Sequence, residues 1–222
     1  MSELSGAGPW ESWYPDMPYD ATTNPSPYGD PQHITLVFLD DLQPGSRILD
    51  VAGGYGRYAI PLAEQGHHVT VVDADKAHLA EADRRGAALP PGSGTITTVQ
   101  ADLTKELPDS ISPHDALLCA GFLYLAPRDV ISSMFRNMAA AVRSGGLAVV
   151  EFATNRVRRT LSGDSLMGQN EYNYTRQQGE ELLVDLYDEN GFDQLQLVAT
   201  TVHFEEPYYL HNDLVIARGI KR

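Results

Sequence analysis

The sequence predicts an α/β protein with a doubly wound, mostly parallel sheet. Short apolar runs alternate with helical segments along most of the chain, and glycine turns lie next to the first and fifth of these runs. Such alternation indicates parallel strands joined by crossover helices. The last two apolar runs have no helix between them, so we expect their strands to pair antiparallel.

The first half of the chain contains three predicted strands. Arg47–Val51 reads as a buried strand that enters a glycine turn. Residues Arg57–Gln65 predict a helix that contains Pro61. A proline is tolerated in the first turn of a helix, where its missing N–H costs nothing, so this helix should begin near Gly56 or Arg57. The other predicted elements here are the helices His33–Leu42 and Lys76–Ala88 and the strands Val69–Val72 and Thr95–Gln100.

The second half continues the same pattern and then ends in two strands. The predicted strands are Ala116–Ala120, Leu147–Phe152, Leu195–His203 and Leu214–Ala217, with helices at Arg128–Val142 and Gln178–Glu189. The domain therefore runs over residues 33–222. Residues 1–32 are rich in proline and aromatic side chains, and they predict an irregular segment that packs on the domain as a cap or closes over a site as a lid.

Composition excludes several classes of function. The 222 residues suffice for one domain with a buried core, and 30 acidic against 16 basic residues give a formal charge of −14. This acidity argues against a nucleic-acid partner. The single cysteine, Cys119, rules out an internal disulfide, and no residue spacing demands a metal. Without a leader-like or membrane-spanning run, we expect no membrane partner and a cytoplasmic protein.

Three acidic residues lie at the carboxyl ends of the first three predicted strands. Asp50, Asp73 and Asp102 should meet at one edge of the sheet, where ligands of such folds bind. An acid in the position of Asp73 suits two ribose hydroxyls, and one in the position of Asp102 suits an adenine amine. Asp50 can order the glycine turn or attract a positive ligand. Each acid alone is equally typical of a solvated loop or a helix cap.

A dinucleotide site is one alternative. Residues 54–59, GYGRYA, satisfy the pattern G-x-G-x-x-G/A, with Asp73 near the expected distance. Asp50 argues against it, because a pyrophosphate would be repelled there. A Tyr-x-x-x-Lys pair is also missing, since Tyr172 is followed four positions later by Arg176.

The chain resembles the class I S-adenosylmethionine-dependent methyltransferases. The resemblance covers about residues 45–222 and rests on LDVAGGYGRYA, VVDAD, QADL, DALLCAGFLYL and the SGG turn before LAVVEF, in that order. It implies a Rossmann-like sheet of seven strands in the order 3-2-1-4-5-7-6. The chain departs from the family at Ala52, where a glycine is usual; a methyl group is tolerable there if the backbone torsions are ordinary.

The resemblance also implies a set of contacts to S-adenosylmethionine. It places Asp73 at the ribose hydroxyls and Asp102 at the adenine amine. The other cofactor-binding residues that it implies lie beside the methionine moiety or the adenine ring: Asp50, Ala52, Gly53, Gly54, Ala74, Leu103 and Ala120.

The acceptor side offers weaker candidates for catalysis. Glu151 closes the fifth strand and could orient or deprotonate an acceptor, or make a structural hydrogen bond instead. His211 is a candidate base in a loop between the last two strands. Tyr19 and Tyr124 offer hydroxyls and ring faces, with packing as the alternative. The arginines that follow the fifth strand, Arg156, Arg158 and Arg159, could bind an anionic acceptor or form a solvated face.

These features predict methyl transfer to an oxygen or nitrogen of a small molecule, with specialised metabolism as an option by analogy. The alternatives are a domain that binds S-adenosylmethionine without transferring methyl, as a cyclase-type scaffold or sensor, and an interaction module with a vestigial pocket. The sequence does not determine the oligomeric state.

Overall fold

The computed structural model describes residues 31–105, 107–111, 113–167, 172–206 and 208–222. Tyr19 and nearly all of the predicted N-terminal cap lie outside this part of the chain. The strands are β1 Arg47–Val51, β2 His68–Asp73, β3 Thr95–Gln100, β4 His114–Ala120, β5 Val142–Arg159, β6 Phe192–Phe204 and β7 Tyr209–Lys221. The helices are α1 His33–Val37, α2 Ala59–Glu64, α3 Lys76–Ala87, α4 Arg128–Ala140 and α5 Arg176–Glu189, with a 3₁₀ turn at Leu123–Leu125.

The strands form one sheet in the order β3-β2-β1-β4-β5-β7-β6, and β7 pairs antiparallel with both of its neighbours. The predicted Rossmann-like topology is therefore confirmed. One face of the sheet packs on α4 and α5 and the other on the α1–α3 side. The central strands are apolar on both faces because both are covered.

Local sequence signals set where the helices begin. Asp75 caps α3, since its side chain accepts from the backbone N–H groups of Ala77 and His78. Thr175 and Gln178 form a capping box at the start of α5. Pro61 lies in the first turn of α2, as expected, although that helix begins at Ala59 rather than near Gly56 or Arg57.

The largest departure from the sequence prediction is the length of the last three strands. Glu151 pairs with Ala120 at the end of β4, but β5 continues for eight more residues. Beyond this level β5, β6 and β7 form a three-stranded ribbon of residues 152–159, 199–204 and 209–215. A bulge at Asn155, where φ is 49°, lies within it. The predicted loop that carried His211 is therefore wrong, because His211 lies in β7.

Candidate functional site

The turn after β1 bends through three residues with positive φ: Ala52 at 54°, Gly54 at 55° and Gly56 at 86°. Ala52 therefore does not have the ordinary torsions under which its methyl group was expected to be tolerable. Gly53 is required for space, since a Cβ there would lie 2.7 Å from the carboxylate of Asp50. The turn brings its backbone over the carboxyl end of β1.

Asp73 ties this turn to the end of β2. Its Oδ2 accepts from the Gly54 backbone N–H at 2.9 Å, and its Oδ1 accepts from the Asp75 N–H at 2.9 Å. His78 Nδ1 lies 3.9 Å from Oδ1, and this contact with Asp73 raises the pKa of the imidazole against the opposing effect of burial. A largely buried carboxylate is thus held in place at the edge of the sheet.

Asp102 follows β3, where the sequence placed it. Its Oδ1 accepts from the Thr104 N–H at 2.9 Å and from the Thr104 hydroxyl at 2.6 Å, while Lys105 Nζ lies 3.1 Å from Oδ2. Burial raises its pKa, but these contacts outweigh burial and lower it overall. Leu103 is buried in the core beside it, and the Ala74 carbonyl accepts from Gln100 Nε2 at 2.9 Å.

Asp50 is the most unusual acid of the site. Its side chain is buried within β1, and Oδ2 has no hydrogen-bond partner. Burial raises its pKa to about 7; Arg57 opposes this shift, while Asp73 and Glu151 add to it. An unpartnered buried oxygen of this kind marks a position at which a donor or a cation would be favourable.

Glu151 is buried at the end of β5 and is held by contacts within the protein. Its Oε1 accepts from the Thr35 hydroxyl at 2.6 Å and from the Tyr58 hydroxyl in a short hydrogen bond. Arg57 Nη2 lies 3.4 Å from Oε2. Tyr58 in turn accepts from the Gln32 backbone N–H at 2.8 Å. These contacts favour the structural alternative for Glu151 over a role as a base.

Tyr124 lies close to the end of β4. A Cβ built on Gly121 would be 4.0 Å from the Tyr124 hydroxyl and 3.8 Å from Arg57 Nη2, so both groups border the backbone that follows Ala120. The Tyr124 ring packs edge-on against Phe152. The structure thus brings Tyr124 to the same edge as the three acids.

His211 is far along the ribbon from this edge. It pairs with Val157 and His203, whereas Ile216 is the β7 residue that pairs with Glu151. Five residues of strand separate His211 from Ile216, which corresponds to about 17 Å. This separation argues against His211 as the base.

Two of the three arginines predicted to bind an anion are buried in the ribbon. Arg156 lies with its guanidinium carbon 4.4 Å from the centre of the Tyr124 ring, and its Nη1 donates to the Tyr172 carbonyl at 3.4 Å. Arg158 is also buried and interacts electrostatically with Tyr208. Arg159 is exposed. The alternative of a solvated face is therefore wrong for Arg156 and Arg158, because both side chains are buried.

Sequence reasoning missed the polar network around Glu151. Arg57, Tyr58 and Thr35 were not assigned to the site, although an arginine directly after the glycine turn of an acidic protein is a signal that could have identified the first of them. Thr35 and Tyr58 carried no such signal, because only the fold brings them together across more than 90 residues of sequence from Glu151.

Comparison with known proteins agrees with this geometry. Residues 48–146 match the family model described as a methyltransferase domain. A ubiquinone/menaquinone biosynthesis C-methyltransferase of Rhizobium leguminosarum is 33% identical over 114 residues, which are 50% of this chain and 43% of that protein. The chain spans about two fifths of the length of the curated relatives it matches.

Solved structures share the fold at low sequence identity. An S-adenosylmethionine-dependent methyltransferase of Methanosarcina mazei superposes with a TM-score of 0.67 at 16% identity, over 87% of this chain and all of the other. Magnesium protoporphyrin IX methyltransferase of Synechocystis with bound S-adenosylmethionine gives 0.61 at 18% identity, over 88% of each chain.

The chain shares its fold with S-adenosylmethionine-dependent methyltransferases, and its glycine turn and three acids lie at the strand ends where ligands of such sheets bind. Over residues 48–146 the chain is similar to the methyltransferase-domain family, and the Synechocystis methyltransferase that shares its fold binds S-adenosylmethionine. Among the residues that the structure describes, none of the helices is long and apolar enough to cross a membrane.

Proposed function

We propose that this chain transfers the methyl group of S-adenosylmethionine to an oxygen or nitrogen of a small-molecule acceptor. The observation that carries the proposal is the convergence of Asp50, Asp73 and Asp102 on one edge of the sheet around a glycine turn. This edge is where ligands of doubly wound sheets bind. The family match over the same residues supports the same function.

The residues present fit this cofactor. When bound, the cofactor supplies an activated methyl group on a sulfonium. Asp73, already oriented by two backbone N–H groups, would hold the ribose hydroxyls, while Asp102 would accept from the adenine amine. Ala74 and Leu103 would border the adenine. Asp50, with its unpartnered Oδ2, and the backbone of residues 52–54 and 120 would surround the cationic methionine end.

Asp73→Ala should weaken binding of S-adenosylmethionine by about 1.5–3 kcal/mol, because it removes charge-assisted hydrogen bonds to the ribose. Isothermal titration of the wild type and the variant measures the difference. Asp109→Ala, which removes an exposed carboxylate between β3 and β4, is the matched control and should bind as the wild type does. Equal affinity of the Asp73 variant would contradict the assignment.

The acceptor side is proposed to take an anionic molecule. The Tyr124 hydroxyl lies near Gly121, at the proposed methionine end of the cofactor site, and the Arg156 guanidinium lies over the Tyr124 ring. A guanidinium in a low-dielectric surrounding attracts a carboxylate or phosphate more strongly than an exposed one does. An acceptor whose carboxylate or phosphate group lies near Arg156 would therefore have its remaining atoms beside Tyr124, close to the methyl group of the cofactor.

This proposal can be tested with a panel of small hydroxy- and amino-carboxylic acids and their matched neutral amides. Formation of S-adenosylhomocysteine is expected with acids rather than with amides. Arg156→Gln should raise the KM of an accepted acid roughly tenfold with a smaller change in kcat, since one charge-assisted contact is lost. Arg159→Gln, on the exposed part of the same strand, is the control. A preference for the amides would exclude an anionic acceptor.

A domain that binds the cofactor without transferring methyl is the second candidate. Glu151 is held by hydrogen bonds inside the protein, and His211 lies far from the edge of the sheet. Both observations favour this second candidate over an enzyme that uses Glu151 or His211 as its base. Turnover with any acceptor of the panel distinguishes the two functions.

A further inference from the structure

A buried group of charges surrounds the methionine end of the candidate cofactor site. Asp50 in β1 and Glu151 in β5 both lie within the influence of the single guanidinium of Arg57, in the turn before α2. Arg57 approaches Glu151 directly, at 3.4 Å, and Glu151 has two further hydroxyl donors. Glu151 is thus compensated as an anion by three side chains, whereas Asp50 has a hydrogen bond from the Ala59 backbone N–H and the more distant charge of Arg57, and its Oδ2 has no donor.

Among the described residues, titratable or charged groups face Asp50 from three strands and from the turn before α2, and the Ala59 backbone N–H donates to it. Asp73 faces it from β2, Cys119 from β4 and Glu151 from β5, while Arg57 approaches from the turn. Arg57 is the cation of this set, and the three other groups are acids or a buried thiol. The Asp50 Oδ2 atom is buried without a hydrogen-bond partner, directly beneath the backbone of Gly53.

We infer that Asp50 makes the site selective for a positively charged adenosine compound, because it carries a proton in the empty site and releases that proton when the cation binds. This inference rests on the proposed function, since it concerns the same site. The O–H bond of the carboxylic acid breaks, the electron pair stays on Asp50, and the proton passes to the buffer. The cation then takes the place of the proton as the charge partner of Asp50.

The protonation state expected at neutral pH agrees with this geometry. Burial raises the pKa of Asp50 to about 7, with the negative charges of Asp73 and Glu151 acting in the same direction. A cation that approaches Oδ2 favours the charged form and lowers this pKa, so binding and deprotonation are coupled. An uncharged adenosine compound fills the nucleoside part of the site without this coupling.

The coupling fixes the pH dependence of affinity. Below pH 7 the cation must displace a proton, so its Kd should fall about tenfold for each pH unit gained, and it should level off above pH 7. Binding at pH 6.5 should release about three quarters of a proton, which is the protonated fraction of a group with this pKa. The amino group of the cofactor is already protonated at that pH and adds little.

Isothermal titration in two buffers of different ionisation enthalpy measures the number of protons released. The ligands are S-adenosylmethionine and, as the uncharged probe, 5′-methylthioadenosine, each at pH 6.5 and at pH 8. Release should occur with S-adenosylmethionine at pH 6.5, be small at pH 8 and be close to zero with methylthioadenosine.

Three variants identify the source of the proton. Asp50→Asn should bind S-adenosylmethionine more weakly and without proton release. His78→Gln removes the neighbouring imidazole that contacts Asp73, and it should leave the release unchanged. Asp73→Asn should lose affinity but keep a reduced release, because it removes one of the charges that raise the pKa of Asp50 while burial, the largest cause, remains.

The outcomes separate this inference from the proposed function. Binding of S-adenosylmethionine with no proton release at pH 6.5, or with undiminished release in the Asp50 variant, overturns the inference and leaves the function standing. An absence of binding by the wild type overturns both.

Discussion

Ala52 occupies a backbone conformation that glycine usually supplies. Its φ of 54° puts Cβ close to the following carbonyl oxygen, a contact that costs an L-residue roughly 1–2 kcal/mol. The turn keeps this conformation because the Gly53 N–H is bonded to the Val72 carbonyl and the Gly54 N–H to Asp73. The strain at Ala52 therefore lowers the free energy of unfolding, and the same conformation sets the course of the backbone beside the candidate cofactor site.

Replacing Ala52 with glycine should raise the free energy of unfolding by about 1 kcal/mol, because it removes this strain at a smaller cost in chain entropy. Urea denaturation monitored by circular dichroism measures the change. Ala88→Gly is the control, since Ala88 has a φ of −95° and gains nothing from glycine. A loss of stability in the Ala52 variant would contradict the account of strain.

At the scale of elements, Glu151 joins three parts of the fold. The Thr35 hydroxyl connects α1 to the end of β5, and Tyr58 connects the turn before α2 to the same carboxylate. The short helix α1 has no side-chain cap at its first residue, so this distant contact does much to fix it on the sheet.

Thr35→Val should lower the free energy of unfolding by about 1.5–3 kcal/mol, since it removes a donor from a buried carboxylate while keeping the shape of the side chain. Thr201→Val provides the comparison, because Thr201 is exposed and its hydroxyl lies 3.3 Å from Asp213. Chemical denaturation of both variants gives the two values. A similar small effect for both would show that the contact to Glu151 is not important for stability.

The sequence allowed the cofactor half of the fold to be predicted more closely than the acceptor half. Strands β1 to β4 are short and rich in apolar or β-branched residues, and each ends at, or within two residues of, a glycine or an aspartate. The ribbon could not be predicted in this way. In β5 the segment TNRVRR buries two arginines, and in β7 the residues His211, Asn212 and Asp213 are typical of a turn.

The candidate site shows the same division. Asp50, Asp73 and Asp102 could be located because each lies within two residues of the carboxyl end of a strand. The hydrogen-bond partners of Glu151 come from segments that are distant in sequence. The positive φ of Ala52 could not be predicted either, because alanine usually has a negative φ. Their positions follow from tertiary packing.

At the scale of the whole molecule, the protonation of Asp50 links the stability of the empty protein to pH. The folded-state pKa of about 7 lies above the ordinary value of 3.8, so the native protein binds more protons than the unfolded chain between these values. Stability contributed by this group is therefore present at low pH and is lost as the pH rises toward 7.

Asp50→Asn, which mimics the neutral acid, should stabilise the empty protein more at pH 8 than at pH 5, by roughly 2–3 kcal/mol. Urea titrations of the wild type and the variant at both pH values give this difference, and the subtraction cancels the other titrating groups. A stability difference that is independent of pH would show that Asp50 is ionised in the empty protein throughout.

The ribbon of β5, β6 and β7 stands beyond the segment that matches the methyltransferase family, which ends at residue 146. Arg156, Arg158 and His211 all belong to it, whereas the acids that surround the glycine turn do not. The arginine proposed to bind the acceptor's anion and the acids proposed to bind the cofactor are consequently encoded in separate stretches of the gene. A chimaera that joins residues 1–146 to the corresponding ribbon of another methyltransferase would exchange one without rewriting the other.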